Sequence, residues 1–236
     1  MKLATSRREQ TEISSAFKAQ RYAFAACMLL TPLSVLLFVY SWSPDLLRTP
    51  ILASTQVGPL RNALHFIGGV AASFFLPLGF LGMSLLGMRR APWLATVSAT
   101  LSLLGWIPWG ALIGIDVLGY DIFQVGSTPQ LASLWTRFNY DPVMLVFLAT
   151  YVVGGIANRV CIGIMLARLR LIPAWSAWSL ALTGPLQILS FVPSPLLAIR
   201  NVMGGLILIL WIIGTIPAAL VMLKNREPFE LASSPT

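Results

Sequence analysis

Apolar residues fall into six long runs along the chain, separated by segments that hold most of the charged residues. Each run is long enough to cross the hydrocarbon core of a bilayer as an α-helix, which takes about 20 residues. The pattern therefore predicts an all-α integral membrane protein with a bundle of six transmembrane helices, at about 22–40, 62–87, 92–115, 143–167, 174–193 and 201–223. The fifth run is the shortest of these and has the most polar interruptions.

The segment between the third and fourth runs has a helical pattern of its own. Thr128 suits the N-cap of a helix, and Pro129 suits the first helical position. The apolar residues that follow share one face at three- and four-residue spacing: Leu131, Leu134, Trp135 and Phe138. We expect a short helix near 128–138 that lies on the outer surface of the bilayer.

Prolines interrupt five of the six runs, at Pro32, Pro77, Pro108, Pro185 and Pro217. Each removes one backbone donor and frees a carbonyl, which must find another partner inside a membrane. Several helices are therefore expected to be kinked. The kinks serve either the packing of the bundle or hinges around a cavity.

Composition agrees with this membrane interpretation. The 236 residues are 57% hydrophobic and only 10% charged, whereas a soluble domain carries about 25% charged residues. Mean hydropathy is +0.80. So few charges do not solvate the surface of a globule, and no segment between the runs is long enough for a soluble domain. We expect 1–236 to form a single polytopic membrane domain.

Basic residues predict the orientation. Eleven lysines and arginines lie on one side of the predicted bundle and four on the other, which are Arg48, Arg61, Arg137 and Arg200. By the positive-inside rule, the tails 1–21 and 224–236 are cytoplasmic, as an even number of crossings requires. The expected location is a bacterial plasma membrane. The net charge of +8 is scattered at helix ends, so no nucleic-acid partner is expected.

Most of the eight tryptophans lie near predicted helix ends: Trp42, Trp93, Trp109, Trp135, Trp175 and Trp178. Tryptophan is enriched where a membrane helix meets the headgroups. We therefore interpret these six as interfacial anchors.

One cation lies inside a predicted helix. Arg159 is nine residues before Arg168, which marks the inner end of the fourth run, and so lies about 13 Å into the bilayer. A central arginine costs at least ~2.5–3.5 kcal/mol on insertion scales, so other groups should offset it. Asn158 is adjacent, and Gln187 and Thr183 lie at comparable depth on the next helix. These four residues are either structural or a candidate site for an anionic ligand or lipid headgroup.

His65 and Asp116 form a second candidate, an outer-face polar pair. They lie near the outer ends of the second and third runs, which consecutive antiparallel helices bring to similar depth. Such a pair can be a hydrogen bond, a proton relay or half of a metal site. His65 is the only histidine, so no metal site and no cofactor are expected.

The function predicted from these features is non-catalytic. No hydrolase, metalloprotease or phosphate-binding motif is present. The first expectation is an accessory or scaffold subunit that assembles with other membrane subunits or with copies of itself. The alternative is a small transporter or permease with an anionic or lipid-like ligand at Arg159. A third possibility is a membrane-embedded enzyme that uses His65 and Asp116.

Overall fold

A computed structural model describes residues 2–42, 57–126, 128–191 and 197–224, with side chains described outside 2–14 and 190–201. In the described part of the chain all regular secondary structure is helical. The helices are α1 (Lys2–Ser41), α2 (Pro59–Leu85), α3 (Pro92–Trp106), α4 (Trp109–Gln124), α5 (Pro129–Asn139), α6 (Pro142–Arg168), α7 (Ala174–Phe191) and α8 (Leu197–Lys224).

Within the residues that the structure describes, five helical stretches are long and apolar enough to cross a membrane: Ser15–Ser41, Pro59–Leu85, Pro92–Gln124, Pro142–Arg168 and Val202–Lys224. This confirms the helical, multi-pass membrane character that the hydrophobic runs predict. The 18-residue helix α7, which corresponds to the fifth predicted run, is not among these five. The sixth crossing therefore stays a prediction.

Two helical segments extend beyond the predicted crossings. The first helix begins at Lys2 rather than near residue 22. The third predicted helix, 92–115, is divided into α3 and α4, and α4 continues to Gln124. The break falls at Pro108, which has no N–H to donate to the preceding turn. The predicted run ends just before Asp116, which lies within α4.

The predicted short helix after the third run is present as α5. The Thr128 side chain caps it by accepting a 3.3 Å hydrogen bond from the Leu131 backbone N–H, and Pro129 occupies its first turn. Its position on the bilayer surface stays a prediction. The prolines Pro32, Pro77, Pro185 and Pro217 lie inside helices, as expected from the sequence.

The long helices pack as a closed ring. Going around it, α1 packs on α2, α2 on α3, α3 on α6, α6 on α7, α7 on α8, and α8 returns to α1. The helix α4 packs on α2 and α6, and α5 packs on α4. A core of Phe80, Trp106 and Trp211 lies inside the ring. Together, the ring and α4 bring residues of α1, α4, α6 and α7 around one space.

Glycine allows the closest approach in this ring, where α3 meets α6. A Cβ atom on Gly154 would lie 2.7 Å from the Gly105 Cα atom. No side chain other than hydrogen fits between these two backbones. The contact holds the C-terminal end of α3, three residues before Pro108, against the helix that carries Arg159.

Candidate functional site

Arg159 is almost completely buried at the centre of the ring, with 2% of its surface exposed. Its Nε donates to the Gly155 carbonyl at 3.1 Å, and Nη1 donates to Gln187 Oε1 at 3.4 Å. The predicted contact between Arg159 and Gln187 is therefore present. Its Cζ atom also lies 5.5 Å from the Trp106 ring centre and 5.6 Å from that of Trp211.

Two indole faces thus take the place of an acidic partner. No carboxylate forms an ion pair with Arg159 among the described residues. A desolvated cation on an aromatic face gains about 2 kcal/mol or more, so two faces are comparable with the cost of placing an arginine in the membrane. Arg159 is held by the protein itself, through rings that the sequence analysis did not assign to it.

The other two candidates beside Arg159 have different partners. Thr183 is buried and donates its hydroxyl to the Leu180 carbonyl at 2.6 Å within α7. Asn158 points towards α3, where its Nδ2 donates to the Ser98 carbonyl at 2.8 Å and to Ser102 Oγ at 2.9 Å. In the described part of the chain, neither side chain bonds to Arg159.

Asn158 also positions one of the two rings. Its Oδ1 accepts a 3.1 Å hydrogen bond from Trp106 Nε1. The same Trp106 ring contacts Arg159, which follows Asn158 on α6. Asn158 is therefore a clamp between α3 and α6 that fixes the aromatic surface under the guanidinium.

His65 and Asp116 do meet, as the sequence predicted. Their Nε2 and Oδ2 atoms are 3.4 Å apart. The His65 ring is fully buried between two aromatic rings, 4.2 Å from Phe38 and 3.7 Å from Trp42 between centres. The Asp116 side chain keeps 13% of its surface exposed.

The hydrogen bonds of His65 define where its protons are. Its Nδ1 lies 2.8 Å from the Phe38 carbonyl oxygen. A carbonyl accepts only, so Nδ1 carries a proton and Nε2 is the second, variable position. A bare Nε2 lone pair would repel the ionised Asp116 oxygen. The contact is favourable when one further proton lies between Nε2 and Oδ2, on either atom.

A cavity of about 460 Å³ begins at Asp116 and extends into the bundle. We call it the Asp116 cavity. Its walls are mainly apolar and include Phe38, Val39, Trp109, Leu112, Ile113, Met144 and Leu148. The polar side chains that line it are Asp116, Asn139, Tyr140, Tyr151 and Gln187. Because Gln187 also binds Arg159, one cavity connects the two predicted sites, with Gln187 between the space and the guanidinium.

Sequence reasoning missed the aromatic residues that build both sites. Trp42 and Trp109, which we interpreted as interfacial anchors, are buried, with 0% and 8% exposure. Trp42 donates to Asn62 Oδ1 and Trp109 donates to the Gly69 carbonyl. Trp93, Trp175 and Trp178 are exposed, as anchoring requires. Position near a helix end does not distinguish the two groups.

No protein-family model matches the chain, and neither a curated protein nor a solved structure is significantly similar to it. In the described residues, no three His, Cys, Asp or Glu side chains come together as a metal-binding group. The chemistry of the cavity and of the two buried polar sites is therefore the basis for a functional proposal.

Proposed function

We propose that this chain is a small, non-catalytic transporter or permease that binds a mainly apolar molecule in the Asp116 cavity. The cavity carries the proposal. Its volume of about 460 Å³ lies within the ~300–1,000 Å³ that is common for small-molecule sites. Apolar walls with a few polar groups at the ends are also typical of such sites, because the walls supply affinity and the polar groups fix orientation.

In this proposal Arg159 has a structural role. Its hydrogen bonds and ring contacts are all within the bundle, and Gln187, not Arg159, lines the cavity. The anionic ligand that the sequence suggested at Arg159 stays a prediction. The guanidinium instead anchors α6 to α3, α7 and α8, which form part of the wall around the ligand.

We further propose six crossings, with α7 as the additional one. Support comes from its packing between α6 and α8, two helices long enough to cross. The Ser176 hydroxyl donates to the Ile213 carbonyl at 2.7 Å, which ties α7 to α8. Six crossings place both termini on the cytoplasmic side of a bacterial plasma membrane, with α5 on the outer surface.

An accessory subunit is the second candidate, and one observation favours it. Gly110 and Gly114 lie four residues apart on an exposed face of α4. A Cβ atom at Gly114 would meet no atom within 4 Å. Small residues at this spacing allow a helix from another subunit, or from a second copy, to approach closely.

Native mass measurement of the detergent-solubilised full chain distinguishes the two functions. We expect a bound small molecule on the wild-type protein. Leu112→Trp, which introduces an indole into the cavity wall, should remove it. Val117→Trp is the matched control, because Val117 is on the same helix, is 38% exposed and does not line the cavity.

A small molecule that stays bound to the wild-type protein and to Val117→Trp but not to Leu112→Trp supports a cavity ligand. Recovery of partner subunits with no small molecule supports the accessory function and contradicts the proposal. A bound molecule that survives Leu112→Trp unchanged would place the ligand elsewhere and would also overturn it.

A further inference from the structure

The charge of the Asp116 cavity favours one class of ligand. Asp116 is the only acidic side chain that lines it, and no lysine, arginine or histidine does so among the described residues. The aromatic side chains of Phe38, Trp109 and Tyr151 line the same space. Carboxylates and aromatic faces both attract cations, so the lining is complementary to an apolar body with a cationic head.

The proton between His65 and Asp116 links the binding of a cation to the release of a proton. With that proton, the pair has a net charge of zero, either as imidazolium and carboxylate or as imidazole and carboxylic acid. A ligand cation beside Asp116 can replace it. The pair then becomes neutral imidazole, with Nδ1–H still bonded to Phe38, and ionised carboxylate. One proton goes to solvent, and the total charge in the site is unchanged.

We propose that the cavity binds small amphipathic cations, such as quaternary ammonium compounds, and that each one displaces the proton shared by His65 and Asp116. This inference rests on the proposed cavity function and adds its ligand class and its coupling to protons. Proton and cation then compete for one site, which is the thermodynamic basis of exchange between the two.

The packed elements also carry Tyr40 on α1, Arg61 on α2, Tyr120 and Asp121 on α4, Arg137 on α5, Tyr140 before α6, Tyr151 on α6, and Arg159 on α6, whose guanidinium lies behind Gln187. Of these, Tyr140 and Tyr151 line the cavity, and phenols are normally uncharged near neutral pH. Arg61 donates its Nε to the Ser41 carbonyl at 2.8 Å. His65 and Asp116 form an ion-pair contact, with 3.4 Å between Nε2 and Oδ2.

The test compares two probes of the same shape on the purified full chain in detergent. Benzyltrimethylammonium carries a fixed charge and no exchangeable proton, and neopentylbenzene is its uncharged isostere. Ligand-observed NMR measures binding of each, with Leu112→Trp as the blank for uptake by micelles. A pH-indicator dye in weak buffer measures the proton released by the protein.

We expect the cation to bind with release of up to one proton. Its affinity should rise by about tenfold per pH unit while the pair holds its proton, as linkage requires. Asp116→Asn should lose cation binding and keep neopentylbenzene binding. Asp121→Asn, the same change at an exposed position of α4 outside the cavity, should behave as wild type.

His65→Gln changes the exchange and keeps the carboxylate that binds the cation. It removes one of the two proton positions, so the cation should still bind, and its proton release and the pH dependence of its affinity should differ from those of wild type. Wild-type protein that binds the cation at pH-independent affinity with no proton release overturns the exchange. If neopentylbenzene binds and the cation does not, the ligand class is wrong but the cavity function stands. If neither probe binds, the proposed function fails as well.

Discussion

At the scale of single residues, the partners of a buried polar side chain decide what it can do. Arg159 has its charge covered by Trp106, Trp211 and Gln187, so it stabilises the bundle. Asp116 keeps part of its surface in a cavity, so it can meet a ligand. The sequence identified both as unusual, because charge within an apolar run is visible. It did not identify the rings around them, since indole partners come from distant helices.

Asn158 should be important for stability. Replacement by alanine removes three hydrogen bonds between α6 and α3 and leaves Trp106 Nε1 without an acceptor. A buried unpaired donor costs about 1–3 kcal/mol. We expect Asn158→Ala to lower the melting temperature measured in detergent. Ser179→Ala, which removes an exposed hydroxyl bonded within α7, should change it little; equal losses in both variants would contradict the clamp.

Arg159→Leu tests whether the guanidinium is structural. The change removes the bonds to Gly155 and Gln187 and the contacts with both rings, so we expect a lower melting temperature. Folded protein should still bind neopentylbenzene, because Arg159 does not line the cavity. Arg168→Leu, at the exposed end of the same helix, is the control. Unchanged stability with complete loss of probe binding would instead assign Arg159 to the ligand site.

At the scale of helices, the side-chain pattern predicted the presence of each helix better than it predicted where the helix begins and ends. Thr128 and Pro129 predicted the start of α5 because capping is a local property. The end of α4 was misjudged because Asp116 interrupts the apolar run, and its burial against His65 depends on the packing of α2. The break at Pro108 was treated as a kink, since sequence does not show whether a proline bends a helix or ends it.

The contact between α3 and α6 at Gly105 and Gly154 should not tolerate a larger side chain. Gly154→Ala would place a methyl group 2.7 Å from the Gly105 Cα atom, and a backbone has little freedom to move away. Overpacking typically costs about 1–3 kcal/mol, so we expect a lower melting temperature. Gly114→Ala has open space and favours the helix. A stable Gly154→Ala variant would show that the two helices are further apart.

Cysteine labelling tests the prediction that α5 lies on the surface of the bilayer. With Cys27 and Cys161 replaced by alanine, Thr136→Cys and Arg137→Cys should react quickly with a membrane-impermeant maleimide from outside. Leu134→Cys and Phe138→Cys should react slowly, because these apolar side chains would face the lipid, being exposed on the protein surface. Equal rates at all four positions would show that α5 does not lie on the bilayer.

At the scale of the whole molecule, composition indicates that the protein lies in a lipid bilayer, but it does not indicate how the interior of the bundle is arranged. Few charges and long apolar runs suffice to predict a multi-pass helical protein. The Asp116 cavity was beyond prediction because it exists only when α1, α4, α6 and α7 come together. How deep each end of the cavity lies in the bilayer depends on whether all helices of the ring, including α7, cross the membrane. The number of crossings is thus the premise on which the proposed function depends most.

The location of the two termini tests that premise most directly. Tags at both ends of the full chain, probed in sealed cells with an impermeant protease before and after lysis, report the side on which each terminus lies. Six crossings predict that both tags are protected until the cells are opened. One tag digested from outside while the other stays protected would mean an odd number of crossings and would contradict the six-helix bundle.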